Sequence, residues 1–240
     1  MVHTLQNLMP GNFSQMRKND LRHCYNVATA PLGTLKAYIV EHHQAVDPAT
    51  AAMCQYCGLS YDASDFDHYL PKELFAEFST LTLNMVPCCG TCNRLKGKVW
   101  RDGIGQRQIV SFYFDTVPRR QFLFADIEVT TKLSSRFRLS GNAIHYEGLE
   151  ATIRGHFEHL DLLERFRKAA PAEFSECSTE LKPVIDAKGT ESAAELLRRK
   201  ADQAAQSYSP NYWKVALYQA MARSADFLRF IQNQANNAAR

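Results

Sequence analysis

No stretch of this sequence approaches the roughly 18 apolar residues of a membrane-spanning helix, and the opening "MVHTLQNLMPGNFSQM" lacks both a cationic start before an apolar run and a small-residue cleavage site. The expectation is therefore a cytoplasmic protein with no membrane association. Internal repeats and low-complexity linkers are absent as well, and the net charge is only +3. With 240 residues, 45% hydrophobic and 22% charged, the chain can bury a sizeable core in one or two domains, which excludes disorder of the whole. The seven cysteines do not divide into pairs. Five of them, Cys54, Cys57, Cys88, Cys89 and Cys92, fall in one 39-residue window, while Cys24 and Cys177 stand apart. In a reducing compartment such clustering points to a metal site and away from a disulfide framework.

The small net charge conceals a local excess. Between Arg94 and Arg120 there are seven basic residues against two acidic ones, a balance of +5, so the remainder carries −2. A basic run that starts at a cysteine cluster is what a phosphate backbone favours, because Lys and Arg that neutralise phosphates release counterions. The bland alternative is a solvated charged face.

The chain reads as three parts. Residues 1–48 form a helical N-terminal segment, with "QMRKNDLRHCYN" followed by "GTLKAYIVEHHQAV", whose Leu35, Tyr38, Ile39 and Val46 sit at helical spacings before Pro48. Residues 49–105 hold the cysteines and six turn residues, Gly58, Pro71, Pro87, Gly90, Gly97 and Gly103, too much punctuation for long helices. Residues 106–240 begin with β-branched and aromatic segments, "QIVSFYFDTV", "RRQFLFADIEVTTKL" and "RFRLSGNAIHY" with a Gly-Asn turn, which predict short strands. From Glu147 the pattern turns helical, and Leu160, Leu163, Phe166, Trp213, Leu217, Tyr218, Phe227 and Phe230 read as core. The expected class is α+β. His156 and His159 have no completing Cys or carboxylate pattern and read as structural.

Cys54-Gln-Tyr-Cys57 and Cys89-Gly-Thr-Cys92 are two C-x-x-C pairs separated by 31 residues. Each places two thiolates on a tight turn, and four sulfurs at about 2.3 Å close a structural zinc site with no open position. Buried free cysteines would not explain two matched spacings. Cys88 could replace Cys89 through a Cys88-x-x-x-Cys92 spacing, but Cys89 repeats the first pair and is preferred.

Between the two pairs lie "FDHYLPK" and "LTLNMVPCCGTCNRLKGK". An Asp-His with Pro three residues on, an Asn-hydrophobic-Val-Pro block and a Cys-Asn-x-x-Lys-Gly ending, in that order over residues 54–98, resemble the HNH nucleases. The resemblance implies a ββα-metal core stapled by a four-cysteine zinc, here in an H-N-N variant with Asn93 in the third position. It implies His68 as general base and Asp67 and Asn93 as oxygen ligands to Mg²⁺ or Mn²⁺. Asn84 would brace the hairpin, and Arg94, Lys96 and Lys98 would hold a nucleic-acid backbone, with DNA as the expected substrate. A looser resemblance, to stand-alone bacterial HNH proteins, implies a nuclease effector of anti-phage defence beside an ATPase or sensor partner. Two function classes follow: a metal-dependent endonuclease, or a zinc-ribbon-type nucleic-acid or protein adaptor whose motif residues do not catalyse. For Asp67 the bland reading is a turn or helix cap, and for the three basic residues a solvated helix face.

Overall fold

A computed structural model of the chain describes residues 5–26, 29–140 and 148–238, and it combines helix with strand around a four-cysteine cluster. Among the described residues, no helix is long and apolar enough to cross a membrane. The chain divides into two compact units, Met1–Val117 with Glu147–Leu160, and Pro118–Tyr146 with Asp161–Arg240. This differs from the three-part reading of the sequence. The boundary falls after Val117, not after residue 105, and the segment Glu147–Leu160 returns to the first unit.

The first unit opens with helices α1 (Gln15–Asn26) and α2 (Ala30–Val46). Thr29 caps α2: its side chain accepts from the Leu32 amide, satisfying one of the unpaired donors of the first turn. Leu32 and Ile39 are the buried positions of α2. After the first cysteine pair, strand β1 (Asp65–His68) pairs antiparallel with β2 (Met85–Cys88), in a register that sets Asp65 opposite Cys88 and His68 opposite Met85. Single 3-10 turns at Ala76–Phe78 and Thr82–Asn84 lie between the strands, and helix α3 (Gly90–Lys96) follows β2 directly. All four residues of β2 are buried, as are Tyr69, Leu70, Phe75, Trp100 and Ile109. Helix α4 (Glu150–His159) completes the unit with Ile153 and His156 buried.

The expected strand over "QIVSFYFDTV" is a loop. Its apolar residues Ile109 and Val110 are buried, but the backbone turns at Ser111, whose carbonyl accepts from the Phe114 and Asp115 amides. The Asp115 carboxylate locks that turn, accepting from the Ser111 amide at 2.8 Å and pairing with Arg107 through two bonds of 2.8 Å. A carboxylate and a buried guanidinium overrule the β propensity of the side chains.

The second unit is built on a hairpin of β3 (Leu123–Val129) and β4 (Leu133–Leu139) and three helices, α5 (Leu162–Ser207), α6 (Trp213–Arg223) and α7 (Ala225–Ala238). The Gly-Asn turn expected at residues 141–142 lies outside the described residues. Helix α5 is two helices meeting at a kink, where Gly189 takes φ 82 and ψ 173, a conformation open to glycine alone. Phe166 stacks on Trp213 at 6.1 Å, and Phe137 meets Phe166 edge-on at 5.6 Å. Burying each such side chain contributes about 1.5–3 kcal/mol. Of the core residues expected here, Leu163 and Phe230 are only half-buried.

Candidate functional site

The four paired cysteines converge. Their sulfurs lie within 4.8 Å of one another, and all four residues are buried. In the first pair, Gly58 at φ 63 lets the chain double back so that its amide bonds the Cys54 carbonyl at 3.0 Å, while the Leu59 amide points at the Cys57 sulfur at 3.4 Å. In the second pair, Cys89 is the residue before α3, and Cys92 lies in its first turn. Cys88 is outside the cluster, which settles the choice left open by the spacing in favour of Cys89. Without a metal the thiols crowd one another. Cys57 pushes the Cys54 thiol up, and Cys54 does the same most strongly to Cys92. A dication reverses that preference, and a buried set of four sulfurs suits zinc, whose ligand sulfurs stand roughly 3.8 Å apart.

Beside the cluster, β1 and α3 share a seam. A strand sends alternate side chains to one face, so Asp65 and Asp67 both meet α3. Asn93 donates its amide to Asp65 at 3.1 Å, and three residues later Lys96 pairs with Asp67 Oδ2 at 2.8 Å and donates to the His68 carbonyl at 2.7 Å. The Tyr56 hydroxyl donates to the same Asp67 oxygen at 2.7 Å. Burial, and then the Asp67 charge, hold the Tyr56 pKa well above its ordinary value, so the hydroxyl stays a donor. Gly90 leaves room for this approach: a methyl there would stand 3.4 Å from Asp65 Oδ2 and 3.2 Å from the Arg94 guanidinium.

These contacts correct two expectations. Lys96 is not a backbone-holding cation, because its side chain is fully buried and its charge is spent on Asp67. Arg94 and Lys98 are exposed. Asp67 and Asn93 are not bonded to each other, and one Asp67 oxygen already faces an ammonium, so the two alone do not make a cation site. With Asp65 added, the seam carries two carboxylates and an amide oxygen, a donor set of the kind hard cations take. The D-x-D spacing "DFD" was the signal for Asp65, since period-two alternation places both acids on one face.

His68 is the last residue of β1 and is 7% exposed. Its Nε2 is 2.8 Å from the Ser79 carbonyl. A carbonyl only accepts, so Nε2 carries the proton and Nδ1 keeps the lone pair. Burial lowers the His68 pKa, with Lys72 and Lys96 adding to burial and the Ser79 bond and Asp67 opposing it. Asn84 fixes the loop that presents Ser79: it accepts from the Leu70 amide at 2.7 Å and donates to the Leu70 and Phe78 carbonyls at 3.0 and 3.1 Å. Tyr25 of α1, not singled out in the sequence, packs edge-on against the His68 ring with centroids 4.3 Å apart.

The basic run does not form one charged face. Besides Lys96, Arg107 is buried on Asp115, and Arg101 donates to the Gln6 carbonyl at 2.9 Å. His156 is structural: Nε2 donates to the Tyr56 carbonyl at 2.9 Å, Nδ1 accepts from the Val110 amide at 3.4 Å, and burial pushes its pKa down to about 4.

Over 189 residues the chain is 27% identical to protein ea31 of Escherichia phage lambda, a match that covers 74% of this chain and 64% of that protein. The chain thus spans a little under two thirds of that relative's length. No protein-family model matches the chain, and no solved structure matches it.

Proposed function

We propose that this chain is a metal-dependent endonuclease of the HNH type, hydrolysing phosphodiester bonds in DNA. The observation that carries the reading is His68, which ends β1 with Nε2 donating to the Ser79 carbonyl and with burial favouring the neutral ring, one residue after Asp67 of the seam that bears the Asp65–Asn93 contact. The ribbon followed by α3 has the element order of an HNH ββα-metal core, a fold often stapled by a four-cysteine site, and zinc in the cluster would serve folding only.

In this reading Nδ1 of His68 removes the proton from the attacking water. Burial lowers the His68 pKa and so favours the unprotonated form of that nitrogen. Asn84 and Ser79 set the ring's direction. Asp65, Asp67 and Asn93 would hold Mg²⁺ or Mn²⁺, which supplies neutralisation of charge on the phosphate. The exposed Arg94 and Lys98 contact the backbone of the substrate. Under the looser resemblance, the enzyme is the cutting component of an anti-phage defence system with an ATPase or sensor partner.

One observation favours the adaptor as a second reading. Lys96 and Tyr56 both close on Asp67, an arrangement that neutralises the carboxylate without any added ion. Incubation with plasmid, linear duplex, single-stranded DNA and RNA, with and without Mg²⁺ or Mn²⁺, separates the two. Divalent-dependent cutting of DNA is expected. Binding without cutting under every condition would establish the adaptor.

A further inference from the structure

Three cations that the sequence did not single out gather next to His68. The Tyr25 ring carries the Lys36 ammonium 4.8 Å from its centroid and the Lys72 ammonium 4.6 Å from it. Lys36 also lies 5.5 Å from the Phe66 ring. Tyr25 itself is anchored on β1, donating its hydroxyl to the Phe66 carbonyl at 3.3 Å while its ring meets His68. Arg22, one turn back on α1, lines with Lys72 and Asn26 a surface cavity of 260 Å³.

Among the described residues, none of the three is ion-paired with a carboxylate. Lys72 donates to the neutral Asn26 amide oxygen at 2.9 Å, and Arg22 to the Lys18 carbonyl and Asn19. Burial lowers the Lys72 pKa; Glu73 opposes this, and Lys36 and Arg22 add to it. Two ammonium groups on one ring gain its quadrupole attraction but repel one another, and an arriving anion relieves that repulsion. Of the nearby acids, Asp67 is paired with Lys96 and Asp65 accepts from Asn93, while the exposed Glu73 lines the same cavity as Arg22 and Lys72 and offsets part of their charge without an ion pair to either.

We propose that Lys36 and Lys72, on the Tyr25 ring, and Arg22, beside Lys72, hold successive nucleic-acid phosphates next to the one cut at His68, so that α1 and α2 belong to the substrate surface. The word "cut" rests on the nuclease reading; the phosphate surface does not. A phosphodiester backbone fits better than a small free anion because the cations come from two helices and the Lys72 segment, not from one enclosed pocket. It would also place the main electrostatic contact beside His68, not on the run after Cys92.

The test is duplex DNA binding by the full chain, read by fluorescence anisotropy across a salt series without added divalent ion. The double variant Lys36→Gln, Lys72→Gln should bind at least tenfold more weakly at low salt, and its log–log salt slope should be shallower by about 2, at roughly 0.9 per lost phosphate contact. Lys36→Arg with Lys72→Arg should restore both quantities. Wild-type affinity and slope in the Gln variant would overturn the proposal, as would equal losses in the Gln and Arg pairs, or no DNA binding by the wild type. If binding follows the expected pattern but nothing is cut with Mg²⁺ or Mn²⁺, the nuclease reading fails and the phosphate surface stands. If DNA is cut while both lysine pairs bind like wild type, the surface fails and the nuclease reading stands.

Discussion

The two units of this chain are held together by different physics. Among the described residues, the buried polar and charged ones Asp67, His68, Ser79, Asn84, Lys96, Arg107, Ser111, Thr152 and His156 belong to the first unit, and only Ser135 and Glu173 to the second. The second unit is a conventional apolar core, with Phe137, Phe166, Leu217, Phe227 and Ile231 all buried. Buried polar groups are costly unless every partner is present. A unit that concentrates them around a strand pair of four residues each is specified by particular bonds, and those bonds place His68 and the acidic seam.

Chelating the zinc proposed for the four-cysteine cluster should break this contrast most sharply. Structural zinc contributes on the order of 10 kcal/mol in small zinc domains, so chelation should unfold the first unit while leaving the second. Each unit has one buried tryptophan, Trp100 and Trp213. In a Trp213→Phe protein, chelation should shift the remaining emission to the red; in a Trp100→Phe protein it should not. Equal responses would mean that the units do not differ in this way.

A second expected difference is between two ion pairs. Lys96–Asp67 is buried and Arg138–Asp126 is more than half exposed on both sides. Lys96→Met strands a carboxylate in the interior and should cost about 3–5 kcal/mol by urea denaturation. Arg138→Ala should cost less than about 1 kcal/mol. Similar values for the two would remove the polar specification from the account.

Acid should act between these extremes. His156 is neutral when folded, with its pKa depressed to about 4 from the usual 6.5. The unfolded chain therefore binds the extra proton first, and stability falls as pH drops from about 6.5 to about 4, by at most about 3 kcal/mol. Above 6.5 this contribution is constant. His156→Gln should flatten that part of the urea-midpoint profile, and an unchanged slope would assign the acid sensitivity to other groups.

The sequence made the α+β mixture and the four-cysteine cluster legible, because helical periodicity and matched C-x-x-C turns are local patterns. The positions of α1 and α2 were readable for the same reason. What escaped was set by partners distant in sequence. Counting charge from Arg94 to Arg120 cannot reveal that Lys96 turns inward to an acid 29 residues earlier, nor that Arg107 closes a turn on Asp115. "QIVSFYFDTV" has strand propensity, yet its backbone follows the bonds of one carboxylate. Tyr25 and Lys36 lie 43 and 32 residues before the His68 they adjoin, distances at which no spacing rule operates.

We propose that the polar first unit serves to present His68 as a base. Single-turnover cleavage of duplex DNA by His68→Ala, on preparations whose zinc content and circular dichroism match wild type, tests it most directly. The account predicts a rate lower by about 10² to 10⁴, the usual contribution of a positioned general base. A wild-type rate from a folded, zinc-loaded His68→Ala protein would contradict it.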